Sequence, residues 1–398
     1  MIKIGLIKEG KVPADNRVAL TPAQCKWLKK HVDCDIIVEP SIHRCYKNEE
    51  YEQAGIKVQH DLSSCSLLLG IKEVPVAQLI QGKTYLFFSH TKKKQAYNQK
   101  LMHALVDKKI TLIDYECLTH EDGQRLIGFG FFAGIVGACN GLMAYGKRTG
   151  EYEMERVYKQ KDYRVLIHNY FGLKLPPVKI VVTGSGRVAH GVVEIMNLLD
   201  IKEVEPDEYL SRSFTYSVFV QLKGRDLYRH RERMDYMKDE FHQNGELYEC
   251  LFEEYCSHTD LLINGIYWDR NIPRLFEWNT MKRDDFRIQT IADITDDIYG
   301  SIPCNLGDAT IEDPVYGVDR FTREKTAPFL PGSVDVMAVG NLPNELPRDA
   351  SRYFGQQLIK YVLNDIFMGG SEMIERATIL KNGELTPSFT YLQDYALH

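Results

Sequence analysis

Five short apolar runs, KIGLI, DIIVEP, SLLLGIKE, TYLFFSH and TLIDYE, follow one another through the first 116 residues. Helix signals lie between most of them. TPAQCKWLKKH has Thr21 to cap a helix and Pro22 at its first position. NEEYEQAG reads as a helix stopping at Gly55, and NQKLMHALVDKK as another. Alternating strands and helices leave a chain few choices: a mostly parallel sheet covered by helices on its faces. In such sheets ligands gather outside the carboxyl ends of the strands. Lys72, His90 and Glu116 all fall at those ends.

At 398 residues the chain is too long for one core and long enough for two domains. GFGFFAGIVGACNGLMAYG reads as a buried helix linking them. A second α/β unit opens at LPPVKIVVTGSGRVAHGVVEIMNLL, with further strands expected at TDLLINGIYW and IQTIADIT. ASRYFGQQLIKYVLNDIF is an amphipathic helix. RDLYRHRERMDYMKDEFHQNGELYECLFEEYC, within residues 210–258, reads as a helical surface insertion of the second domain.

With 26% charged residues and a net charge of −6, nothing favours a nucleic-acid surface. No apolar stretch approaches the roughly 20 residues that cross a bilayer. MIKIGLIKEG starts a strand and lacks the apolar core of a signal peptide. Nine scattered cysteines without a Cys-x-x-Cys pair fit reduced thiols, so the expectation is a soluble cytoplasmic protein with no membrane partner. The oligomeric state is not encoded in any pattern found.

VKIVVTGSGRVAHG places Gly184, Ser185 and Gly186 after a strand, followed by Arg187, Val188 and Ala189 at the start of a helix. Gly184 permits the tight turn, Gly186 lets backbone approach a pyrophosphate, and Ala189 packs closely. The helix amino terminus supplies N–H groups to the phosphates. An acid about 20 residues on, Glu205, suits a ribose 2′-hydroxyl; Arg212 nearby favours the opposite choice, so NAD and NADP both remain open. Asn264 and Asp293, in the expected strands of the same domain, complete the candidate cofactor set.

The amino-terminal set is Arg17, Lys72, Glu73, His90, Lys93, Glu116 and Arg125. A lysine beside glutamates suits proton exchange, and histidine titrates in the working range unaided. Two arginines are forked clamps for carboxylates. Singly each also fits an ordinary loop; together they point to redox chemistry on amino or oxo acids.

RVALTP, GIKEVP, FFSHTKK, LIDYE and RLIGFGFFAG stand in the order and spacing of the alanine dehydrogenase and transhydrogenase-like family. More closely the chain resembles the lysine-forming saccharopine dehydrogenases, including the lysine–ketoglutarate reductase half of the bifunctional animal enzyme. VVTGSGRVAHG, VEPDEYL, LLINGIYWDRNIPRL, IADITDDIYGSI and NLPNELPRDASRYFG carry the likeness through the second half. The resemblance implies interconversion of saccharopine with lysine and 2-oxoglutarate, through an imine, using NAD or NADP. It implies Lys72 and His90 as acid–base pair, Glu73 and Glu116 tuning that lysine and holding the substrate's amino end, Arg17 and Arg125 on carboxylates, and Lys93 as a supporting charge one helical turn past His90. It also implies two Rossmann-like domains with a cleft between them. The substrate domain is discontinuous, residues 1–143 with 345–398, and residues 144–344 bind the dinucleotide. One departure is VGNLP, where Gly340 stands in place of a family aspartate; Asp297 and Asp335 are the positional substitutes. Alternatives are a related alanine dehydrogenase-like or opine-type enzyme with another substrate, and a non-catalytic nucleotide sensor.

Overall fold

The computed structural model describes residues 1–307 and 309–397. Contacts divide the chain into two units, residues 1–129 with 347–398, and residues 130–346.

The first unit is built on an eight-stranded sheet. Its order is Glu384–Leu385, Thr378–Lys381, Thr111–Asp114, Thr84–Phe87, Leu67–Leu69, Ile2–Leu6, Cys34–Val38 and Lys57–Val58. From Thr111–Asp114 to Lys57–Val58 every pairing is parallel, and the two strands from the carboxyl terminus add on antiparallel. Leu67–Leu69 is wholly apolar and buried, and Thr84–Phe87 is buried after its first residue, as strands covered on both faces are. Thr21 caps helix Pro22–His31 in a capping box with Gln24, as the local pattern predicts. The carboxyl-terminal helix Pro347–Gln357 returns to this unit: Gln24 Nε2 donates to the Arg352 carbonyl at 2.8 Å, and the Val18 N–H donates to Ser351 Oγ at 2.9 Å. The expected single helix there is interrupted by a π-helical segment, Leu358–Leu363.

The second unit carries another eight-stranded sheet. Its order is Lys325–Thr326, Val315–Asp319, Ser333–Met337, Thr290–Asp293, Leu261–Asn264, Lys179–Thr183, Val218–Leu222 and Lys202–Glu203. The strands from Ser333–Met337 to Lys202–Glu203 run parallel. The apolar helix Gly130–Thr149 belongs to this unit, so the division falls ahead of the residue-143 boundary read from sequence. Glycines explain why: a Cβ on Gly134 would collide with the Val188 carbonyl, and one on Gly191 with that of Phe131, so this helix and Arg187–Leu198 touch backbone to backbone.

Residues 225–256 correct the sequence reading. They are no helical surface insertion. Tyr228–His230 pairs antiparallel with Tyr248–Cys250, and the short helix Lys238–Gln243 and a 3-10 turn at Gly245–Leu247 lie between them. Phe241, Tyr248, Phe252 and Tyr255 are buried in the core of the second unit. Arg and Glu at near-helical spacing had masked a hairpin whose strands are three residues long.

Candidate active site and dinucleotide turn

In the first unit the candidate groups meet where the parallel strands end. The strand Ile2–Leu6 leads to Glu9, whose buried carboxyl accepts the Ile71 N–H at 2.7 Å and the Lys72 N–H at 2.8 Å. Burial, with the charge of Asp15, pushes the Glu9 carboxyl up to about 8. Sequence reading missed Glu9: its role depends on a strand 63 residues away.

Lys72 follows the strand Leu67–Leu69. Burial and the neighbouring charge of Arg17 bring its ammonium down to about 8. Among the described residues that ammonium makes no ion pair. The next residue, Glu73, meets His90 from the neighbouring strand: His90 Nδ1 lies 2.7 Å from Glu73 Oε1. Lys11 Nζ reaches the same carboxylate at 3.1 Å. Burial opposes ionisation of Glu73, yet the hydrogen bond and charge of His90 hold its carboxyl near about 2. An ionised Glu73 accepts a hydrogen bond from the His90 Nδ1–H, which leaves Nε2 as the ring nitrogen outside that bond.

His90 stands at φ +53°, a backbone region uncommon for a side chain this large. Asp114 holds the preceding residue: the Ser89 N–H donates to it at 3.1 Å and the Ser89 hydroxyl donates as well. The same aspartate accepts the Glu116 N–H at 2.7 Å, so one buried carboxyl positions two loops. Burial raises the Asp114 carboxyl.

Arg17 is not an open clamp. It is 3% exposed, with Nε donating to Asp15 at 2.9 Å and Nη2 to the other carboxylate oxygen at 2.5 Å, and it lies 4.2 Å over the Phe129 ring. Burial alone would raise Asp15, but the charge and hydrogen bonds of Arg17 carry it down to about 2. Phe129 stacks on Phe354 at 4.5 Å, so the carboxyl-terminal helix floors this cluster. Arg125 is 43% exposed and its Nη2 meets Glu116 at 3.0 Å. Lys93 sits exposed in a turn, not a helix, and makes no ion pair among the described residues.

The second unit holds the glycine turn. Gly184 has φ +101°, its N–H donates to the Leu222 carbonyl at 2.8 Å, and its own carbonyl accepts from Gln221 Nε2 at 2.9 Å. Helix Arg187–Leu198 takes Gly186 as its N-cap, a residue with no side chain to cap it. A Cβ added to Gly186 would meet nothing within 4 Å, so the backbone there faces open space. Val188, at that helix's amino end, packs so closely on Gly265 that a Cβ there would lie 2.8 Å from its Cγ1. A helix start with a glycine N-cap that faces open space fits a pyrophosphate.

Asn264 and Asp293 are buried together at adjacent strand ends, 2.8 Å apart, and Asn305 holds the other Asp293 oxygen at 2.8 Å. Thr183 joins through Asn264 at 2.7 Å. They brace the strand ends around the turn. Burial lifts the Asp293 carboxyl to about 6. Ser185 is exposed within the turn, and Arg187 opens the helix. Glu205 lies elsewhere: it follows the edge strand Lys202–Glu203, separated from Lys179–Thr183 by Val218–Leu222. Asp335 is no substitute for the missing aspartate near Gly340, being buried in its strand with Arg148 at 3.3 Å and the Phe329 N–H at 2.7 Å. Asp297 is exposed beyond Thr290–Asp293.

Residues 5–136 match the family Alanine dehydrogenase/PNT, N-terminal domain. The chain is 30% identical to the mitochondrial alpha-aminoadipic semialdehyde synthase of Rattus norvegicus, aligning 95% of its own length with 46% of that protein. It thus spans about half the length of the semialdehyde synthases it matches. It is 26% identical to the saccharopine dehydrogenase [NAD(+), L-lysine-forming] of Emericella nidulans over 91% of each chain. Among solved structures, an L-alanine dehydrogenase superposes with TM-score 0.69 over 99% of this chain at 17% identity, a likeness of fold. No helix among the described residues is long and apolar enough to cross a membrane. The chain is thus similar to the saccharopine dehydrogenases and to the matched half of the semialdehyde synthases, and it has the fold of an alanine dehydrogenase.

Proposed function

We propose that this protein is a lysine-forming saccharopine dehydrogenase. The reaction is saccharopine, NAD(P)+ and water to lysine, 2-oxoglutarate, NAD(P)H and a proton, and its reverse. The observation that carries this reading is a half-buried lysine brought down to about 8, next in sequence to an ionised glutamate that anchors a histidine. An amine that must lose a proton as it is oxidised, and an imine that must then add water, need two such groups.

Gly184, Ser185, Gly186 and the start of helix Arg187–Leu198 are the residues that would hold a nicotinamide dinucleotide. When bound, it supplies the hydride acceptor for the secondary amine. Lys72 takes the proton of that amine. His90 Nε2 removes a proton from the water that adds to the imine and returns one to the departing lysine nitrogen. Glu73 keeps the ring turned and stabilises the imidazolium between those steps. Glu116 binds the substrate's amino end, Arg125 is the carboxylate clamp, and Lys93 adds distant positive charge. Arg17, spent on Asp15, holds the site's charge balance and lowers Lys72. Nine free cysteines suit a reducing compartment, and the cytoplasm is the location proposed.

The test is turnover of the purified chain with lysine, 2-oxoglutarate and a reduced coenzyme, followed at the nicotinamide absorbance band. Turnover with pyruvate and ammonia but none with lysine would assign it to the alanine dehydrogenase-like alternative. No turnover with either would favour the nucleotide sensor.

A further inference from the structure

Resting on that dinucleotide reading, we infer that Lys223 and Arg225 select the 2′-phosphorylated coenzyme, NADP, over NAD. The strand order decides which residues can read the adenosine ribose. A dinucleotide seated on the Gly184–Gly186 turn extends its adenosine half over the end of the strand beside that turn. Sequence spacing points to Glu205, but the neighbouring strand is Val218–Leu222, paired in register from Lys179↔Val218 to Thr183↔Leu222. Two hydrogen bonds weld the end of that strand to the turn itself, Gly184 N–H to the Leu222 carbonyl and Gln221 Nε2 to the Gly184 carbonyl.

The residues that emerge there are Lys223, Gly224 and Arg225. Lys223 is exposed and its ammonium makes no ion pair among the described residues. The Arg225 side chain is 76% exposed, with only a long 3.8 Å approach to Asp226. Asp226 is the one acid in this turn, and its carboxylate accepts the Lys223 N–H at 2.9 Å instead of facing outward. A ribose 2′-hydroxyl would therefore meet two cations and no free acceptor, whereas a 2′-phosphate would meet a fork and a point charge. Glu205 stands one strand farther out. Its strand pairs Glu203 with Phe219 and then turns into the helix Pro206–Ser211, short of the level of Leu222. Arg212, the other candidate from sequence, pairs with Glu208 on that same outer helix.

The experiment is calorimetric titration of the full chain with NADPH and with NADH, repeated with 2′,5′-ADP and 5′-AMP as fragments. NADPH is expected to bind roughly tenfold tighter or more, the effect of one charge-assisted contact. The double variant Lys223→Ala/Arg225→Ala, at two exposed positions, should bring the two coenzymes within about twofold while the NADH affinity holds. Glu205→Gln should leave the ratio where it was. Equal or tighter NADH binding by the native chain overturns the inference, as does a preference that survives the double variant or shifts with Glu205→Gln. If NADH and NADPH bind competitively without preference, the dinucleotide reading stands and the selectivity falls. If neither binds, both fall.

Discussion

Burial first, and then the charge of Arg17, brings the Lys72 ammonium down to about 8. Glu9 accepts the Lys72 backbone N–H, and Arg17 adds that charge while itself bonded to Asp15. The amine is then half neutral near pH 8, and in the saccharopine-oxidising direction kcat/KM should climb up to about that pH and level above it. Lys72→Met should lower kcat about a thousandfold, within the range of a lost general base, while coenzyme binding measured by titration is unchanged. Glu9 allows a sharper discrimination. With its carboxyl raised to about 8, it is protonated at neutrality, and Glu9→Gln keeps most of its shape at that pH. Its two oxygens accept different N–H groups, so Glu9→Gln turns an NH2 against one of them and should lose about 1 kcal/mol in chemical denaturation at pH 7. Glu9→Ala strips two buried N–H groups of their acceptor and should lose about 2 kcal/mol or more. None of this was legible in the sequence, where Glu9 is one charged residue in IKEG. The place of Lys72, Glu73 and His90 just past strand ends was legible, because those ends announce themselves by the switch from apolar to polar residues. Arg17 was read as a substrate clamp because its partner Asp15 looks like an ordinary loop residue in ADNR.

Between elements, what matters is how closely backbones approach. Gly134 and Gly191 bring two helices into contact with no side chain between them, while Gly186 faces open space a few residues away. Gly134→Val should therefore lower the melting temperature, losing about 1–3 kcal/mol as other overpacked sites do. Gly186→Ala, whose φ of −89° any residue adopts, should melt like the native chain and yet lose affinity for the dinucleotide phosphates. The same distinction explains which elements could be read in advance. The Thr21 cap and the strand–glycine–helix unit are local, and local chemistry determines them. The hairpin at 228–250 and the position of Glu205 relative to the turn are decided by strand pairing, which no window of sequence contains. Spacing alone located the acid about 20 residues on; the crossover that inserts Val218–Leu222 between it and the turn is a property of the sheet.

At the scale of the whole molecule, the buried carboxylates set the acid limit of stability. Asp15, at about 2 in the folded chain against an ordinary 3.8, contributes roughly 2 kcal/mol above pH 4, lost progressively as pH falls through 2. Glu73, held near about 2 as well, adds to that slope. Denaturant midpoints should thus fall between pH 4 and 2, and Asp15→Asn should flatten that fall while lowering stability at pH 7, since Arg17 is left buried without its counter-ion. The first unit is assembled from both ends of the chain, with Thr378–Lys381 lying against Thr111–Asp114. A ribosome makes those two strands more than two hundred and fifty residues apart, so the second unit emerges entire while the first still lacks an edge and the Phe354 floor. The second unit can therefore complete its sheet during synthesis while the first waits, its Thr111–Asp114 flank bare, for Thr378–Lys381 to arrive.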